Sequence, residues 1–270
     1  MIFVPIKDDI QLTPHNIGLT QKDIMYLLTY KELEMGPQHA GGIYNKMKED
    51  LDHNLLKSRA HYYKSVEEMN QQGWIAYIKK GKKKIYSMTP KGKEELNRYR
   101  ETYLEPFKQV RHLAGFLMSR IAGSYKESVP DISRDKQKLF NRLINVKELT
   151  IYLFLKILQD NPDPNPQMTA KEIYEVMGSA YGWTCSIGYL YETAHAIEEG
   201  GWIDGAWSGK RRTDYRYLLT VSGEEYLPKA AEDAMYHVRK CYKFMESVIF
   251  LLEPSSDLSD SHVSWQNLNV

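Results

Sequence analysis

Hydrophobic residues recur every three or four positions through most of the chain, in segments separated by glycines, prolines and short alternating stretches. The helical spacing predicts amphipathic helices, and the alternating stretches predict β-strands. Three predicted helices precede a hairpin near residue 80, and three more precede a hairpin near residue 210. A long amphipathic helix is predicted after each hairpin, beginning near Gly92 and near Gly223. The pattern predicts a mainly α protein with small β-hairpins, an α+β fold.

The boundaries of these elements carry local signals. Thr20 is a predicted N-cap for the first helix, and Gly73 ends the third helix before the first hairpin. Gly81 lies at the centre of the hairpin turn. Pro106 should kink the long helix that follows.

The chain also contains an internal repeat, because three blocks recur in the same order at offsets of 130, 128 and 131 residues. The blocks are Ile43-Tyr44-x-x-Met47 with Ile173-Tyr174-x-x-Met177, Tyr63-x-x-Val66-x-x-Met69-x-x-x-Gly73-Trp74-Ile75 with Tyr191-x-x-Ala194-x-x-Ile197-x-x-x-Gly201-Trp202-Ile203, and Tyr86-x-x-Thr89-x-x-Gly92-x-x-x-Leu96 with Tyr217-x-x-Thr220-x-x-Gly223-x-x-x-Leu227. Chance does not explain three blocks in register. The prediction is two tandem winged helix-turn-helix modules, each followed by a long amphipathic helix, with a second hairpin three residues longer than the first.

The repeat suggests a division of the chain into four parts. These are a first module with its long helix (1–122), a linker with a helix-capable end (123–146), a second module with its long helix (147–252) and a flexible tail (253–270). The apolar stripes of the long helices are too long for one small module to cover. They could pack on each other, on a second chain in a homodimer, or back on their own modules.

Charge is distributed unevenly along this repeat. The chain has 36 Lys and Arg against 35 Asp and Glu, a formal net charge of +1. Residues 1–126 carry 21 basic and 14 acidic residues, whereas residues 127–270 carry 15 basic and 21 acidic residues. A basic half joined to an acidic half of the same fold suggests that the first module binds an anionic partner.

The second copy resembles the PadR-like transcriptional regulators. The resemblance rests on Gly188-Tyr189-Leu190-Tyr191, followed by Ala194, Ile197 and Gly201, and on Tyr217, Thr220 and Gly223. The first copy matches at Tyr63, Gly73, Tyr86, Thr89 and Gly92, but has Ala60-His61-Tyr62 where the family has Gly-x-Leu. The resemblance implies a winged-helix binder of double-stranded DNA whose usual homodimer would be partly built within one chain. The tandem arrangement departs from that family, whose typical chains carry a single module.

A recognition helix reads base edges in the major groove, while basic groups on a wing hold phosphates. In the first module the candidate helix residues are Asn54, Lys57, Ser58, Arg59, His61 and Lys64, with Arg59 as the best candidate for a guanine. The candidate wing residues are Lys79, Lys80, Lys82, Lys83 and Lys84. In the second module the helix Thr184–Ile197 lacks Lys and Arg, and only its wing is basic, with Lys210, Arg211, Arg212 and Arg216. We therefore expect weaker DNA contact through the second wing, or a second module that serves dimerisation or partner contacts instead.

Catalytic chemistry is not indicated. The chain has no Walker or dinucleotide glycine loop, no HExxH or GxSxG sequence and no paired-cysteine zinc spacing, so neither enzyme activity nor a cofactor or metal is predicted. No apolar run is long enough to span a membrane, and the N-terminus lacks the features of a signal peptide, which together predict a cytoplasmic protein.

Two weaker signals concern small molecules and redox chemistry. Trp183, Trp202 and Trp207 with Tyr181 could line a pocket for a small aromatic effector, although core and hairpin packing is the simpler interpretation. Cys185 near a helix N-terminus could have a lowered thiol pKa, and packing is again the simpler interpretation.

Three functions follow from these observations. The leading hypothesis is a transcriptional regulator, a repressor, that uses its two modules as a pseudo-dimer on DNA. A plasmid or phage replication initiator or a DNA-partition protein is an alternative, because tandem winged helices also suit iterated sites. A protein interaction scaffold, in which neither wing touches DNA, is the third.

Overall fold

A computed structural model of the 270-residue chain describes residues 11–50, 58–124, 128–161, 167–208 and 214–255. The described residues fall into two compact units. The first unit contains Gln11–Lys108 together with residues 243–255, and the second unit contains Gln109–Tyr242. Both units are mainly helical with a small antiparallel sheet, as the hydrophobic pattern predicts.

The first unit begins with a 3₁₀ helix and three α-helices, followed by a hairpin and a fourth helix. Their bounds are Pro14–Ile17 for the 3₁₀ helix, α1 Gln21–Glu34, α2 Ala40–Asp50, α3 Arg59–Gln71, β1 Ile75–Lys80, β2 Lys83–Met88 and α4 Pro90–Tyr99. Thr20 caps α1 as predicted, because its hydroxyl accepts a hydrogen bond from the Asp23 N–H at 3.1 Å. The core is formed by α1, whose Ile24 and Leu27 are fully buried, and by the inner face of α3.

The second unit repeats this order after one additional helix. Its elements are α6 Arg134–Asn141, α7 Val146–Gln159, β3 Met168–Thr169, α8 Ala170–Tyr181, α9 Ile187–Glu199, β4 Ile203–Ser208 and β5 Asp214–Leu219. The third helix of this repeat begins at Ile187 instead of the predicted Thr184, because Ser186 is the N-cap and accepts the Tyr189 N–H at 3.2 Å. Between the hairpin strands lie two residues in the first repeat and five in the second, which confirms the predicted three-residue difference.

At the turn between the third helix and the hairpin, the two copies of the sequence blocks make the same contacts. Gly73 and Gly201 both end their helix with a positive φ, of 73° and 74°. Thr89 donates its hydroxyl to the Gly73 carbonyl at 2.6 Å, and Thr220 donates to the Gly201 carbonyl at 2.8 Å. The sequence blocks therefore recur because each copy needs the same glycine and the same threonine to join the third helix to the helix after the hairpin.

A third strand position completes each sheet. In the second unit β5 lies between β3 and β4, with Met168 opposite Tyr217. In the first unit the same position is a single bridge between Gln38 and Tyr86, in which each backbone N–H donates to the other carbonyl. In both repeats the bridging segment precedes the second helix and ties it to the hairpin.

Each long helix contributes residues to both units. The helix after the first hairpin continues from α4 through a π-helical turn, Arg100–Leu104, into α5, Glu105–Ile121, and the helix after the second hairpin is α10, Val221–Leu252. In a regular α-helix the ring of Pro106 would clash with the carbonyl of Thr102, four residues earlier, and Thr102 lies within the π-helical turn. The irregularity predicted at Pro106 is therefore this wider turn. In the second unit Gly115 of α5 faces the ring of Tyr242 of α10.

The end of α10 is held by the first unit. Lys31 is buried and donates to the Glu253 carbonyl at 2.7 Å, while Arg100 donates to the Leu252 carbonyl at 2.6 Å. Cations are favourable beside the unpaired carbonyls at a helix C-terminus. Residues 243–255 are thus an integral part of the first unit. Of the flexible tail predicted at 253–270, residues 253–255 belong to this unit, and 256–270 lie outside the described residues.

The segment predicted as a linker, 123–146, is partly folded. It includes α6, and four of its apolar side chains are buried in the second unit: Leu139, Phe140, Leu143 and Ile144. The prediction of a helix-capable end is confirmed, but this end belongs to the core of the second unit.

Candidate nucleic-acid interface

The inner face of α3 fixes which of its side chains point to solvent. Tyr62, Val66 and Met69 are buried at helical spacing, so the opposite face is exposed. That face carries four of the predicted helix residues: Ser58, Arg59, His61 and Lys64. The Ser58 hydroxyl lies 2.9 Å from His61 Nδ1 at the start of the helix. Asn54 and Lys57 lie outside the described residues.

Arg59 is oriented by aromatic rings. Its guanidinium lies 5.6 Å from the ring centre of Tyr63 and 6.0 Å from that of Tyr44, and it donates to the Tyr63 hydroxyl at 3.3 Å. Stacking of this kind restricts a side chain that would otherwise sample many rotamers. The remaining guanidinium donors have the fork geometry that suits a phosphate or a guanine edge.

The first turn of α2 lies beside this arginine. His39 precedes the helix and accepts the Gly42 N–H through Nδ1 at 2.6 Å, and a Cβ on Gly41 would lie 3.0 Å from the Tyr63 hydroxyl. His39, Gly41 and Tyr44 are not among the residues that the sequence predicts for the site. The available signal was the Gly41-Gly42 pair at a helix start, which marks a close approach of neighbouring groups.

The five wing lysines are all exposed, and the register of the hairpin brings four of them together at its tip. Lys79 lies opposite Lys84, and Lys80 lies opposite Lys83, on the two strands joined by Gly81-Lys82. Directly opposed like charges repel each other. Gly81 adopts a φ of 64°, which a glycine accepts without strain at a tight turn. The hairpin therefore concentrates positive charge at one end, and an anionic partner would relieve the repulsion.

Lys84 differs from the other wing lysines, because it connects the wing to α3. Its ammonium lies 4.3 Å from the ring centre of Tyr77 and 3.8 Å from a Glu67 carboxylate oxygen. The pKa of Lys84 is raised, first by Tyr86 and also by Tyr77 and Glu67. Lys84 thus sets the wing against the exposed face of α3, while the other four lysines make no ion pair with any residue that the structure describes.

The second module has a different surface at the equivalent positions. Arg216, predicted as a DNA contact, donates to the Gln167 carbonyl at 3.1 Å and lies 3.5 Å from a Glu172 oxygen, where it joins β5 to the start of α8. Arg216 therefore has a structural role, and its contact with DNA stays a prediction. Lys210, Arg211 and Arg212 lie outside the described residues.

The aromatic residues considered for an effector have separate environments. Trp183 is buried and donates its indole N–H to Asn141 at 2.6 Å, Trp202 stacks on Tyr226 with ring centres 3.8 Å apart, and Trp207 is exposed. The three tryptophans are not among the residues that line a cavity of about 230 Å³ beside Tyr181. Packing is thus the observed role of Trp183 and Trp202.

Both cysteines are buried, and burial raises the pKa of each thiol above its ordinary value. A raised pKa keeps the thiol protonated and unreactive near neutral pH. The lowered pKa considered for Cys185 from its position near a helix N-terminus is therefore wrong. Desolvation outweighs the hydrogen bond with Thr150, which acts in the opposite direction.

The comparisons with protein-family models and with curated proteins return no match for this chain. Within the described residues, no group of His, Cys, Asp and Glu side chains could hold a metal ion. No helix in the described part of the chain is long and apolar enough to cross a membrane.

Proposed function

We propose that the chain is a DNA-binding transcriptional regulator, a repressor similar to the PadR-like family, whose two repeats are winged helix-turn-helix modules. In each repeat the order is helix, bridging strand, two helices and a hairpin, with the third helix packed beside the hairpin. In this proposal α3 enters the major groove and β1–β2 is the wing. The observation that carries the proposal is the lysine-rich hairpin tip held beside the basic, exposed face of α3 through the Lys84 contact with Glu67.

The two parts of this surface would have different tasks on DNA. Arg59, oriented by Tyr63 and Tyr44, would contact a base edge, which can discriminate by about 1–3 kcal/mol against the wrong base. The wing lysines would contact phosphates and add affinity without sequence information. The first module would therefore supply both specificity and salt-sensitive affinity.

The pseudo-dimer within one chain is part of the same proposal. The helix that follows the second hairpin ends in the first unit, where Lys31 and Arg100 hold its last carbonyls. The helix that follows the first hairpin ends in the second unit, where Phe116 and Leu117 are buried. This exchange of helices within one chain supports a single chain that carries two modules, without a second copy.

The test is a comparison of matched charge removals by a salt titration of DNA binding. Replacing Lys82, Lys83 and Lys84 by alanine should weaken binding and reduce the salt slope by up to about 2.7, at about 0.9 for each lost phosphate contact. The control removes three lysines from exposed helix positions of the second unit, where each pairs with a carboxylate on its own helix: Lys138, Lys171 and Lys229. If this control lowers affinity and slope as much as the wing variant, general charge explains the binding and the proposal fails.

A second comparison tests the asymmetry between the modules. Replacing Lys210, Arg211 and Arg212 should weaken DNA binding less than replacing the three lysines of the first wing. An equal loss from the two sets would contradict the asymmetric assignment.

The pattern of protected DNA distinguishes the candidate roles. One imperfect inverted repeat beside a promoter would support the regulator, whereas an array of repeated sites would support a replication initiator or partition protein. Salt-insensitive or undetectable binding to any selected DNA would refute DNA binding and leave the interaction scaffold.

A further inference from the structure

The first turn of α2 has a sequence that the fold alone does not explain. In the second repeat the equivalent turn has a complete capping box, in which Thr169 and Glu172 each accept the backbone N–H of the other through a side-chain oxygen. The repeat offset of 130 residues places Gly42 at the position of Glu172. The same offset places Gly41 at the position of Lys171. Two adjacent glycines are unfavourable within a helix, so we expect contacts that require them.

Gly42 makes room for the ring of His39. His39 is the residue before α2, and its Nδ1 accepts the Gly42 N–H at 2.6 Å. A Cβ on Gly42 would lie 3.1 Å from Cε1 of this ring, closer than the separation of about 3.5–4.0 Å at which carbon atoms normally pack. The His39 ring therefore takes the place of a capping threonine, and only a residue without a side chain lets it lie over this turn.

Gly41 makes room for two side chains that approach it from α3. A Cβ on Gly41 would lie 3.0 Å from the Tyr63 hydroxyl oxygen and 3.3 Å from a terminal nitrogen of Arg59. It would also lie 3.5 Å from Cε1 of His39, so three side chains converge on this backbone position. A methyl group there would displace the Tyr63 hydroxyl and the Arg59 guanidinium, which are joined by a hydrogen bond of 3.3 Å.

The core holds the rings around Arg59 in place. Tyr62 is fully buried, and its ring centre lies 5.5 Å from that of Tyr44 and 6.0 Å from that of Tyr63. Tyr44 and Tyr63 are the two rings beside the Arg59 guanidinium. A guanidinium held beside such rings has fewer conformations to lose when it binds a partner.

The glycine and the arginine occur together in the first repeat, and both are replaced in the second. The offset of 128 residues that relates the third helices places Ile187 at the position of Arg59. The second repeat also has Lys171 where the first has Gly41, and α8 is still a regular helix. The fold of the module therefore does not require a glycine at this position, whereas the arrangement around Arg59 does.

We propose that Gly41 and Tyr63 are positioning residues that hold Arg59 for base recognition and set the selectivity of the first module more than its affinity. This inference rests on the DNA binding proposed above. Gly41 acts through the space that it leaves for both side chains, and Tyr63 acts through its ring and its hydroxyl. The wing lysines lie on the hairpin and keep their phosphate contacts when either residue is changed, so affinity for any DNA is retained while discrimination between bases is lost.

The variant Gly41→Ala separates this role from a role in folding. Alanine is the better helix former, and the two closest atoms that its Cβ would displace are the ends of exposed side chains, which can move without disturbing the core. The free energy of unfolding of this variant, measured in urea, should therefore be unchanged or raised.

The DNA test uses a duplex selected from random sequences on the native chain, together with duplexes that each change one base pair. Arg59→Ala identifies the base pair that Arg59 contacts, because the preference relaxes there. Gly41→Ala should lower the preference at the same base pair by about fivefold or more. Tyr63→Phe, which removes only the hydroxyl, should lower it by about twofold or more. The salt slope of either variant should change by less than about 0.9, the value for one phosphate contact.

A measurement without DNA tests the positioning itself. The Nε–H signal of Arg59 in the NMR spectrum, identified by its absence in Arg59→Ala, should show restricted motion in the heteronuclear NOE. Gly41→Ala and Tyr63→Phe should both lower this NOE. The matched control is Gly188→Ala in the second module, where an added methyl group would meet no atom within 4 Å. This control should change neither the NOE nor the DNA preference.

Two results would overturn the proposal. The first is an Arg59 NOE that both variants leave unchanged, because Arg59 would then not be held by these residues. The second is a lowered NOE with an unchanged preference at the Arg59 base pair, or with an equal loss at every base pair. If the native chain selects no DNA, the proposed function fails and the selectivity fails with it, whereas the NOE still decides whether Gly41 and Tyr63 position Arg59. If Gly41→Ala does not fold, Tyr63→Phe decides both measurements, because it changes one exposed hydroxyl.

Discussion

Replacing Gly92 by alanine should strongly destabilise the first unit, although alanine is the better helix former. Gly92 is the third residue of α4, and a Cβ there would lie 2.9 Å from the Trp74 carbonyl carbon and closer still to its oxygen. That carbonyl cannot rotate away, because it accepts hydrogen bonds at 3.0 Å from both the N–H and the hydroxyl of Thr89. The start of α4 would have to separate from the hairpin.

The magnitude follows from one stabilising contribution and three destabilising ones. Alanine gains up to about 1 kcal/mol over glycine inside a helix. Overpacking a rigid site costs about 1–3 kcal/mol, and losing the Thr89 cap, which accepts the Gly92 N–H at 3.1 Å, costs about 1 kcal/mol more. A buried carbonyl left without partners adds about 1–3 kcal/mol. We expect a net loss of about 3 kcal/mol.

Urea unfolding followed by far-UV circular dichroism measures this loss. Gly223→Ala is an internal replicate, because its Cβ would lie 3.0 Å from the Trp202 carbonyl carbon in the second repeat. Gly188→Ala is the opposite control, because Gly188 lies in α9 and an added methyl group there would have no neighbouring atom within 4 Å. This change should leave the free energy of unfolding unchanged or raise it slightly. If the free energy of unfolding of Gly92→Ala lies within about 0.5 kcal/mol of that of the native chain, the close approach of Gly92 to the Trp74 carbonyl is not a real constraint.

Three further outcomes are expected. Glu172→Ala should destabilise the second unit by up to about 1 kcal/mol at pH 7, because Glu172 accepts the Thr169 N–H at 2.7 Å in a capping box. The same hydrogen bond lowers the pKa of Glu172 below its ordinary value, so the stabilisation by Glu172 is full at neutral pH. The difference in stability between the variant and the native chain should therefore shrink as the pH falls through the acidic range, and a constant difference would contradict the assignment. A thiol reagent at pH 7 should label neither Cys185 nor Cys241 until the protein unfolds, and rapid labelling of the folded chain would show an accessible thiol. Sedimentation without ligands should give the mass of one chain, because the long helices bury their apolar stripes within the described units, and a doubled mass at micromolar concentration would contradict this.

Local signals in the sequence are sufficient to predict the recurring blocks and most helix ends. Gly73, Thr89 and Gly92 are recognisable in the sequence because each is required by a contact within about 20 residues, and the same contacts recur in the second copy. The capping threonine of α1 is equally local. Such features depend on short-range geometry, so sequence patterns reveal them.

Contacts between residues that are far apart in the sequence could not be predicted from it. The carbonyl that engages Arg216 belongs to Gln167, 49 residues earlier, and nothing in the basic wing sequence indicates it. The burial of Phe140 and Leu143 depends on the rest of the second unit, whereas the short polar helix α6 on its own is typical of a linker. The role of Lys31 cannot be predicted from its neighbours in sequence, because its partner is the carbonyl of Glu253.

The two repeats also explain why a near-neutral chain can carry a strongly basic surface. Positions that build the turn, such as Trp74 and Trp202, have the same residue in both copies because their contacts lie inside the module. Positions on the outer face, such as Arg59 and Ile187, are free of that requirement, since either side chain is compatible with the helix that carries it. The fold therefore requires the same interior contacts in both copies, whereas the residues on the two outer faces can differ. The opposite net charges of the two halves of the chain cancel in the total. The basic face of the first repeat keeps its own local field, and a partner within a Debye length would encounter this local field.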